Sequence, residues 1–498
     1  MNFVNIFFTD RQKTGNSLAF SLKYHAKCID PVKTPIRKDC MMPKINRRRF
    51  IAGSSALTLA TFFPAPAFLG ANESKNDRLL IGCIGVGGQG TGDSKNAARY
   101  GTIVAVADAD LRHAEAAKAA FGTEPDVYQD YRKLLERQDV DVIIQGTPDH
   151  WHTKVNIDAC LAGKDIYAEK PLTLTIDEGK QLCKVVRETK RVLQTGTQQR
   201  SDRGFQTAVE LVRNGRIGKL KQVWVALPFY STKGGPFFKE EVPAELDWDL
   251  YQGQAPVHDY NVHRTHSIFR WWYEYAGGVM TDWGNHHMDI AHWGMDCELS
   301  GPLSVEARGL FPNEGRKDCY NTPDRFFSRM IYPGDVELLF FASFNQRATY
   351  GDVEKNVDTG ERDVDWLFGE GVPEEIKTYD RDGIMFIGDK GQRVFVNRGG
   401  VYGKPVEELE DKPFESGDWR AKRSTNHMRN FFDCVRSRET PVAPVDIEHR
   451  SVSACHLTNI SIQLGGQKLR WDAEKEEFID NAEANAMLKR EQRVPYNI

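Results

Sequence analysis

The chain has 498 residues, 40% hydrophobic and 27% charged, which is the composition of a soluble globular protein with room for two or three domains. A mean hydropathy of −0.52 and the lack of any long apolar run exclude a polytopic membrane protein and predict no stable membrane insertion. Residues 1–67 hold 11 Lys/Arg against 3 Asp/Glu, so the remainder carries a formal charge of −12, which argues against a nucleic-acid partner.

Residues 1–77 read as an N-terminal extension. Asn46-Arg47-Arg48-Arg49-Phe50-Ile51 has the pattern of a twin-arginine export signal. A weakly apolar stretch, Ile51 to Phe63, follows it, and Ala65-Pro66-Ala67 offers a small-residue cleavage site before Phe68. The expected partner is the twin-arginine translocation machinery, and the expected location is the periplasm or beyond. Export in the folded state suits the cysteines. None of the nine forms a C-x-x-C pair, and the seven beyond Cys28 and Cys40 are expected to be buried free thiols.

Residues 78–196 alternate strand and helix patterns. Leu79 to Ile84 reads as a buried strand, followed by Gly85, Gly87 and Gly90 at G-x-G-x-x-G spacing. A helical segment and a second apolar run, Ile103 to Ala107, lead to Asp108. This is the fingerprint of a dinucleotide-binding βαβ unit. Gly85 permits the turn, Gly87 and its neighbours Gly88 and Gln89 bring backbone N–H groups to the pyrophosphate, and Gly90 lets helix and strand pack. A carboxylate at Asp108 accepts from the ribose hydroxyls and repels a 2′-phosphate, so NAD is favoured over NADP. Further on, helices are predicted over Leu111 to Phe121, Arg132 to Gln138, Trp151 to Ala162 and Ile176 to Thr189. Strands are predicted over Val140 to Gln145, Asp165 to Ala168 and Val192 to Thr195. The alternation implies a doubly wound parallel sheet of Rossmann type.

Residues 197–498 change character. A helix, Gly204 to Asn214, and a strand, Leu220 to Leu227, precede long aromatic-rich loops. Later strands are predicted over Ser304 to Leu310, Arg325 to Tyr332, Val336 to Asn345 and Gly383 to Ile387. The tail, Asn426 to Ser437 and Ile447 to Leu464, reads as helical. The fold expected here is an α/β domain with an open, mainly antiparallel sheet whose outer face is free for another subunit.

Three clusters carry possible chemistry. Thr147-Pro148-Asp149-His150-Trp151-His152 lies at a strand's carboxyl end, where ligands lie in open α/β sheets; such a run is also an ordinary turn and helix start. Glu169-Lys170-Pro171 ends the next strand, and its lysine suits binding a hydroxyl and tuning proton transfer, although the motif taken alone reads more readily as a solvated Glu–Lys pair. In the third, a helix over Thr281 to Trp293 places Asp282, His286, Asp289 and Trp293 on one face, with His287 elsewhere. An Asp/His pair at i, i+4 suits general acid–base work. A buried structural pair and a three-ligand metal site are the alternatives, the latter lacking a partner cluster, so no metal is expected. Arg200, Arg270, Trp271, Trp272, Tyr275 and Asn285 are candidates for stacking on and hydrogen-bonding a carbohydrate.

In order, the glycine loop, Asp108, Thr147-Pro148 with His152, Glu169-Lys170-Pro171 and the Gly277-Gly278 segment before Asp282-x-x-x-His286-x-x-Asp289 resemble the Gfo/Idh/MocA family of NAD(P)-dependent oxidoreductases. That family includes glucose–fructose oxidoreductase and inositol dehydrogenase. The resemblance implies a Rossmann domain that binds NAD through Gly85, Gly87, Gly88, Gln89, Gly90, Asp108, Thr147, Pro148, His152, Glu169 and Lys170, and a second domain that often mediates homo-oligomers, dimers or tetramers. It implies Lys170, Asp282 and His286 as the catalytic set. His286 is the acid/base on a substrate hydroxyl, Asp282 orients it, and Lys170 binds that hydroxyl and the cofactor ribose. His287 is a second histidine able to share the role. The implied activity is hydride transfer between nicotinamide and a sugar, polyol or sugar derivative, with a cofactor that stays bound. Two other readings are redox-neutral glycoside cleavage by transient oxidation and elimination, and a non-catalytic sugar or nucleotide sensor.

Overall fold

The computed structural model describes residues 78–342 and 365–498. The twin-arginine motif and its apolar stretch lie outside the described residues, as do Cys28, Cys40 and the end of the strand predicted to reach Asn345.

The first half alternates strictly: β1 (Leu79–Ile84), α1 (Gly88–Ala97), β2 (Gly101–Ala107), α2 (Leu111–Phe121), β3 (Asp126–Tyr128), α3 (Tyr131–Leu135), β4 (Val142–Gln145), α4 (Asp149–Leu161), β5 (Asp165–Ala168), α5 (Ile176–Thr189) and β6 (Leu193–Thr195). The strands pair in parallel, in the order β3-β2-β1-β4-β5-β6. Helices on both faces explain why β4 and β5 are buried throughout and read as continuous runs rather than alternating ones. Asp110 and Thr175 cap α2 and α5 by accepting from Arg112 N and Glu178 N. Between β1 and β4 the winding reverses, which opens a crevice at the strands' carboxyl ends.

The second half contains α6 (Arg203–Arg213), β7 (Leu220–Leu227), α7 (Trp248–Gln252), α8 (Val279–Met295), β8 (Ser304–Leu310), β9 (Arg325–Tyr332), β10 (Val336–Ala342), α9 (Glu374–Lys377), β11 (Gly383–Gly388), β12 (Arg393–Asn397), β13 (Gly400–Tyr402), α10 (Lys404–Glu407), α11 (His427–Ser437), α12 (Val445–Gln463), β14 (Leu469–Asp472), β15 (Glu477–Phe478) and α13 (Ala482–Ala486). Nine strands form one sheet, β13-β12-β11-β7-β10-β9-β8-β14-β15, antiparallel except where β7 meets β10. Residues of alternate parity face opposite sides. Val223, Val225, Leu338, Phe340, Ile384 and Phe386 pack under α6, α8 and α12. On the other face Trp224, Phe327, Leu339 and Met385 form a second apolar cluster with Leu367, Phe368, Ile376 and Tyr379. The outer face expected to be free is therefore partly covered by the chain's own segment after β10.

The remaining differences from expectation are local. A three-residue strand, β3, precedes α3 where no element is predicted, and it is too short to show alternation. β12 to β15 were not anticipated, being short and broken by glycine and charge. α11 returns to the first sheet, where Met428, Phe431 and Phe432 pack with Ile81, Ile103 and Ile144. All seven cysteines among the described residues are unpaired, six of them buried. No helix among the described residues is long and apolar enough to cross a membrane.

Candidate active site

A cavity of about 1430 Å³ runs from the glycine loop to α8. That exceeds the roughly 300–1,000 Å³ of a single small-ligand pocket, so it has room for a dinucleotide and a second molecule.

The nucleotide end is built by backbone. Gly85 sits at φ +75, and a Cβ there would lie 2.5 Å from Thr147 N. A Cβ on Gly90 would lie 1.9 Å from the carbonyl oxygen of Gly85, so only glycine permits this approach of α1 to β1. Gly90 thus lies beneath the site, while Gly85, Gly87, Gly88 and Gln89 line it. The first turn of α1 has no side-chain cap and no acid, which leaves its N–H groups for a phosphate. Asp108 is held by Val86 N and Asp110 N, each at 2.9 Å, and lines the cavity. These features fit the pyrophosphate and ribose of NAD. His113 and His266 were not anticipated here. Their rings are 4.4 Å apart, and His113 Nδ1 is 3.7 Å from Asp108. With Asp110 they bring possible metal-ligand atoms within 4.8 Å of one another, but Arg112 takes both Asp110 oxygens, at 2.9 and 2.6 Å.

The middle of the cavity is framed by the two strand-end motifs. Thr147, Pro148, His152, Glu169 and Lys170 all line it. The His152 ring lies between the carbonyl oxygens of Thr147, at 2.8 Å, and Pro171, at 2.5 Å, and so ties the motifs together. Burial raises the carboxyl of Glu169 well above its ordinary range, and neighbouring Asp93 adds to the shift. Asp149, quoted in the motif but given no role, also lines the cavity. Burial pushes its carboxyl up to about 7, against the pull of Arg270.

The far end joins β5 to α8. Lys170 Nζ donates to Asp282 Oδ1 at 2.5 Å, and Arg270 Nε lies 3.3 Å from the same oxygen. Burial works to raise the Asp282 carboxyl, but these two cations hold it well below its ordinary range. Asp282 was expected to orient His286; its carboxylate anchors Lys170 instead. His286 Nδ1 is buried without a partner, which leaves Nε2 to meet a ligand. Burial, with the charges of Lys170 and Arg398, pushes the His286 imidazole well below its ordinary value, so it stays neutral.

Five expected contacts are not made. Arg200 is 3% exposed and paired with Asp289 at 2.6 Å and Glu298 at 2.8 Å. That pairing occupies the Asp289 carboxylate, so it is not offered to a ligand shared with Asp282 and His286. Trp272 donates to the carbonyl of His263 at 2.7 Å and lies under the Arg264 guanidinium at 3.6 Å. Tyr275 packs on His150, Asn285 donates to Glu448 at 3.4 Å, and His287 sits 3.4 Å from Gln199. None of the five lines the cavity. The aromatic wall is made instead by Tyr230, Trp271 and Trp283, with Trp283 Nε1 donating to the Tyr230 hydroxyl at 2.6 Å. A reading confined to the residues just before α8 reached Trp271 and Arg270 but not Tyr230, in the loop after β7, or Arg398, in the β12–β13 turn.

Comparison with known proteins follows this geometry. Residues 79–197 match the description "Oxidoreductase family, NAD-binding Rossmann fold" of the Gfo/Idh/MocA group. Residues 221–316 and 419–498 match its "C-terminal alpha/beta domain". A glycosyl hydrolase family 109 protein of Shewanella pealeana is 30% identical over 36% of this chain and 44% of its own. The scyllo-inositol 2-dehydrogenase (NAD(+)) of Bacillus subtilis is 27% identical over 42% of this chain and 51% of its own. The matched stretch therefore spans about half the length of these relatives. Among solved structures, the myo-inositol dehydrogenase of Lactobacillus casei, in complex with NAD(H) and myo-inositol, superposes with a TM-score of 0.51 at 17% identity, covering 81% of this chain and 98% of that one. The fold is thus shared where the sequence has diverged. The chain belongs to the Gfo/Idh/MocA family of NAD-binding oxidoreductases.

Proposed function

We propose that the protein transfers a hydride between NAD and a hydroxyl-bearing carbon of a sugar, polyol or sugar derivative. The observation that carries this reading is the meeting of Lys170, Asp282 and His286 in the cavity that the glycine loop also lines. Bound nicotinamide supplies the hydride acceptor. The protein's part is to hold the alcohol and take its proton. Lys170, fixed by Asp282, donates to the substrate oxygen and stabilises charge developing on it. Neutral His286 accepts the proton through Nε2. Tyr230, Trp271 and Trp283 offer faces for the C–H side of a ring. Purified protein is expected to release NAD(H) on denaturation and to turn over a carbohydrate. Lys170→Ala or His286→Ala abolishes that turnover, and full activity in both variants sinks the assignment.

The glycosyl hydrolase names among the relatives favour one second reading, cleavage of a glycoside by transient oxidation. The same residues serve both. Release of the aglycone with no net change in NADH absorbance selects the second.

The twin-arginine motif supports a further part of the proposal, that the protein is exported folded with its cofactor already bound. Retention has a physical basis in the segment that straps the nucleotide end. Leu111 N donates to Glu245 O at 3.0 Å, Asp247 N donates to Ala109 O at 2.9 Å, and His266 reaches Asp110 at 3.5 Å. Co-elution of NAD with the protein on gel filtration is expected, and its rapid loss there contradicts retention.

A further inference from the structure

The cavity is more basic than the protein around it. Past residue 67 the chain carries a formal charge of −12, yet five cations line the cavity against four acids. One of the acids, Asp108, belongs to the nucleotide end. Another, Asp282, is engaged by Lys170 and Arg270. The cations Lys233, Arg316 and Arg398 all come from the second half of the chain. Arg316 is anchored on Asn313 and Gly235 O. Among the described residues neither Lys233 nor Arg398 is paired with a carboxylate; the nearest acidic influences on Arg398 act through space from Asp382 and Asp282. The Arg398 guanidinium lies 4.6 Å over the Trp283 ring, and Trp283 belongs to the aromatic wall. An aromatic wall and cations without a carboxylate partner among the described residues therefore share one chamber.

We infer that the substrate is an anionic carbohydrate, whose charged substituent is received by Arg398 and Lys233 while its ring lies on the Trp283 side of the cavity. This rests on the oxidoreductase reading for the chemistry but not for the binding. An ordinary solvated rim of lysines and arginines accounts for surface cations in general. Lys233, Arg316 and Arg398 are themselves exposed, and what sets Arg398 apart from such a rim is its place over Trp283, in a cavity whose lining holds more cations than acids in an otherwise acidic protein. A guanidinium above an indole keeps its planar fork free for a carboxylate or phosphate.

The test compares matched probes at saturating NAD: methyl glucoside against methyl glucuronide, and glucose against glucose 6-phosphate. Binding is read by calorimetry and turnover by NADH absorbance. An anionic probe is expected to bind at least about tenfold more tightly than its neutral partner, as a charge-assisted hydrogen bond implies. The preference should shrink in Arg398→Gln and in Lys233→Gln, and on raising salt. Which anionic probe leads distinguishes a sugar acid from a sugar phosphate. Equal or better binding of the neutral partners overturns the inference and leaves the dehydrogenase reading standing if they are oxidised. Selective binding of an anionic probe without any turnover supports the inference and counts against the dehydrogenase reading. If Arg398→Gln instead weakens NAD binding and leaves the sugar preference intact, the cations serve the cofactor's phosphates and the inference fails.

Discussion

Helix α8 carries two acid–cation pairs seven residues apart, and they have opposite fates. Asp282 meets Lys170 with both side chains 14% exposed, at the edge of the cavity. Asp289 meets Arg200 with the side chains 0% and 3% exposed, sealed beneath α12, where Glu448 and Ser451 close over them. Two helical turns, about 10 Å of rise, separate a cavity-lining pair from a sealed one. Sequence spacing treats the two aspartates alike, since both fall on one stripe. What distinguishes them is a helix that begins more than 150 residues later. A cation held at the open end can still exchange its partner for a substrate oxygen, whereas one at the sealed end cannot.

The largest effect should come from the open pair. Lys170→Ala and His286→Ala are each expected to lower kcat by about 10²–10⁴ with little change in the unfolding midpoint. Steady-state kinetics beside a urea melt would check this, and losses under tenfold would erase the contrast. Next comes the sealed pair. Arg200→Met leaves Asp289 and Glu448 buried without their cation, a loss of about 3–5 kcal/mol. Its urea midpoint should fall sharply, while the protein that stays folded keeps its kcat. If Arg200→Met proves as stable as the parent but inactive, Arg200 belongs to the chemistry after all.

The same contrast marks how far the sequence could be read. The glycine loop, Asp108 and the two strand-end motifs are local: each depends on residues within a few positions, and each lies where its spacing implied. The parallel sheet followed from apolar runs, and α8 followed from its periodicity. Arg200, Trp272, Tyr275, Asn285 and His287 were misplaced because residue type alone does not say what covers a side chain. Arg200 has the chemistry of a ligand-binding arginine, and only the arrival of Asp289 and Glu298 makes it a core residue. Arg398 was invisible for the converse reason. It sits in a short turn with no motif, and only the order of strands in the second sheet carries it to the cavity.

Asp149 sharpens the comparison by pH. Its carboxyl is raised from 3.8 to about 7, chiefly by burial. Below pH 4 it is protonated in both folded and unfolded chains, so it imposes no penalty. As pH rises from about 4 to about 7 the unfolded chain loses this proton first, and the folded state loses stability until the native group also ionises. Asp149→Asn should flatten that part of the stability profile of the cofactor-free protein. In the sealed cluster burial likewise holds the Glu448 carboxyl well above its ordinary range, against the pull of Arg200, so Arg200→Met lowers the profile and extends the Glu448 share of this loss to higher pH. An unchanged slope in Asp149→Asn would place the titration elsewhere.

The smallest effect tests how redundant the sealed end is. Ser451 Oγ donates to Asp289 Oδ1 at a long 3.3 Å and also approaches Ile447 O at 3.2 Å, one turn back in its own helix. A hydrogen bond to a carboxylate is worth about 1.5–3 kcal/mol at good geometry, and this long, shared one forfeits only the low end of that or less when the hydroxyl is removed. Alanine then returns part of that, because it is a better helix former than serine by a fraction of about 0.7 kcal/mol. The two terms nearly cancel, so Ser451→Ala should shift the urea midpoint only slightly and leave kcat untouched. Asp289 keeps its carboxylate on Arg200 Nε and Nη2 at 2.6–2.9 Å throughout. A loss above about 3 kcal/mol would exceed what one hydrogen bond to a charged group supplies and would mean that the hydroxyl sets the geometry of the Arg200–Asp289 pair. In that case the sealed end is as dependent on a single partner as Lys170 is on Asp282, and burial alone no longer separates the two.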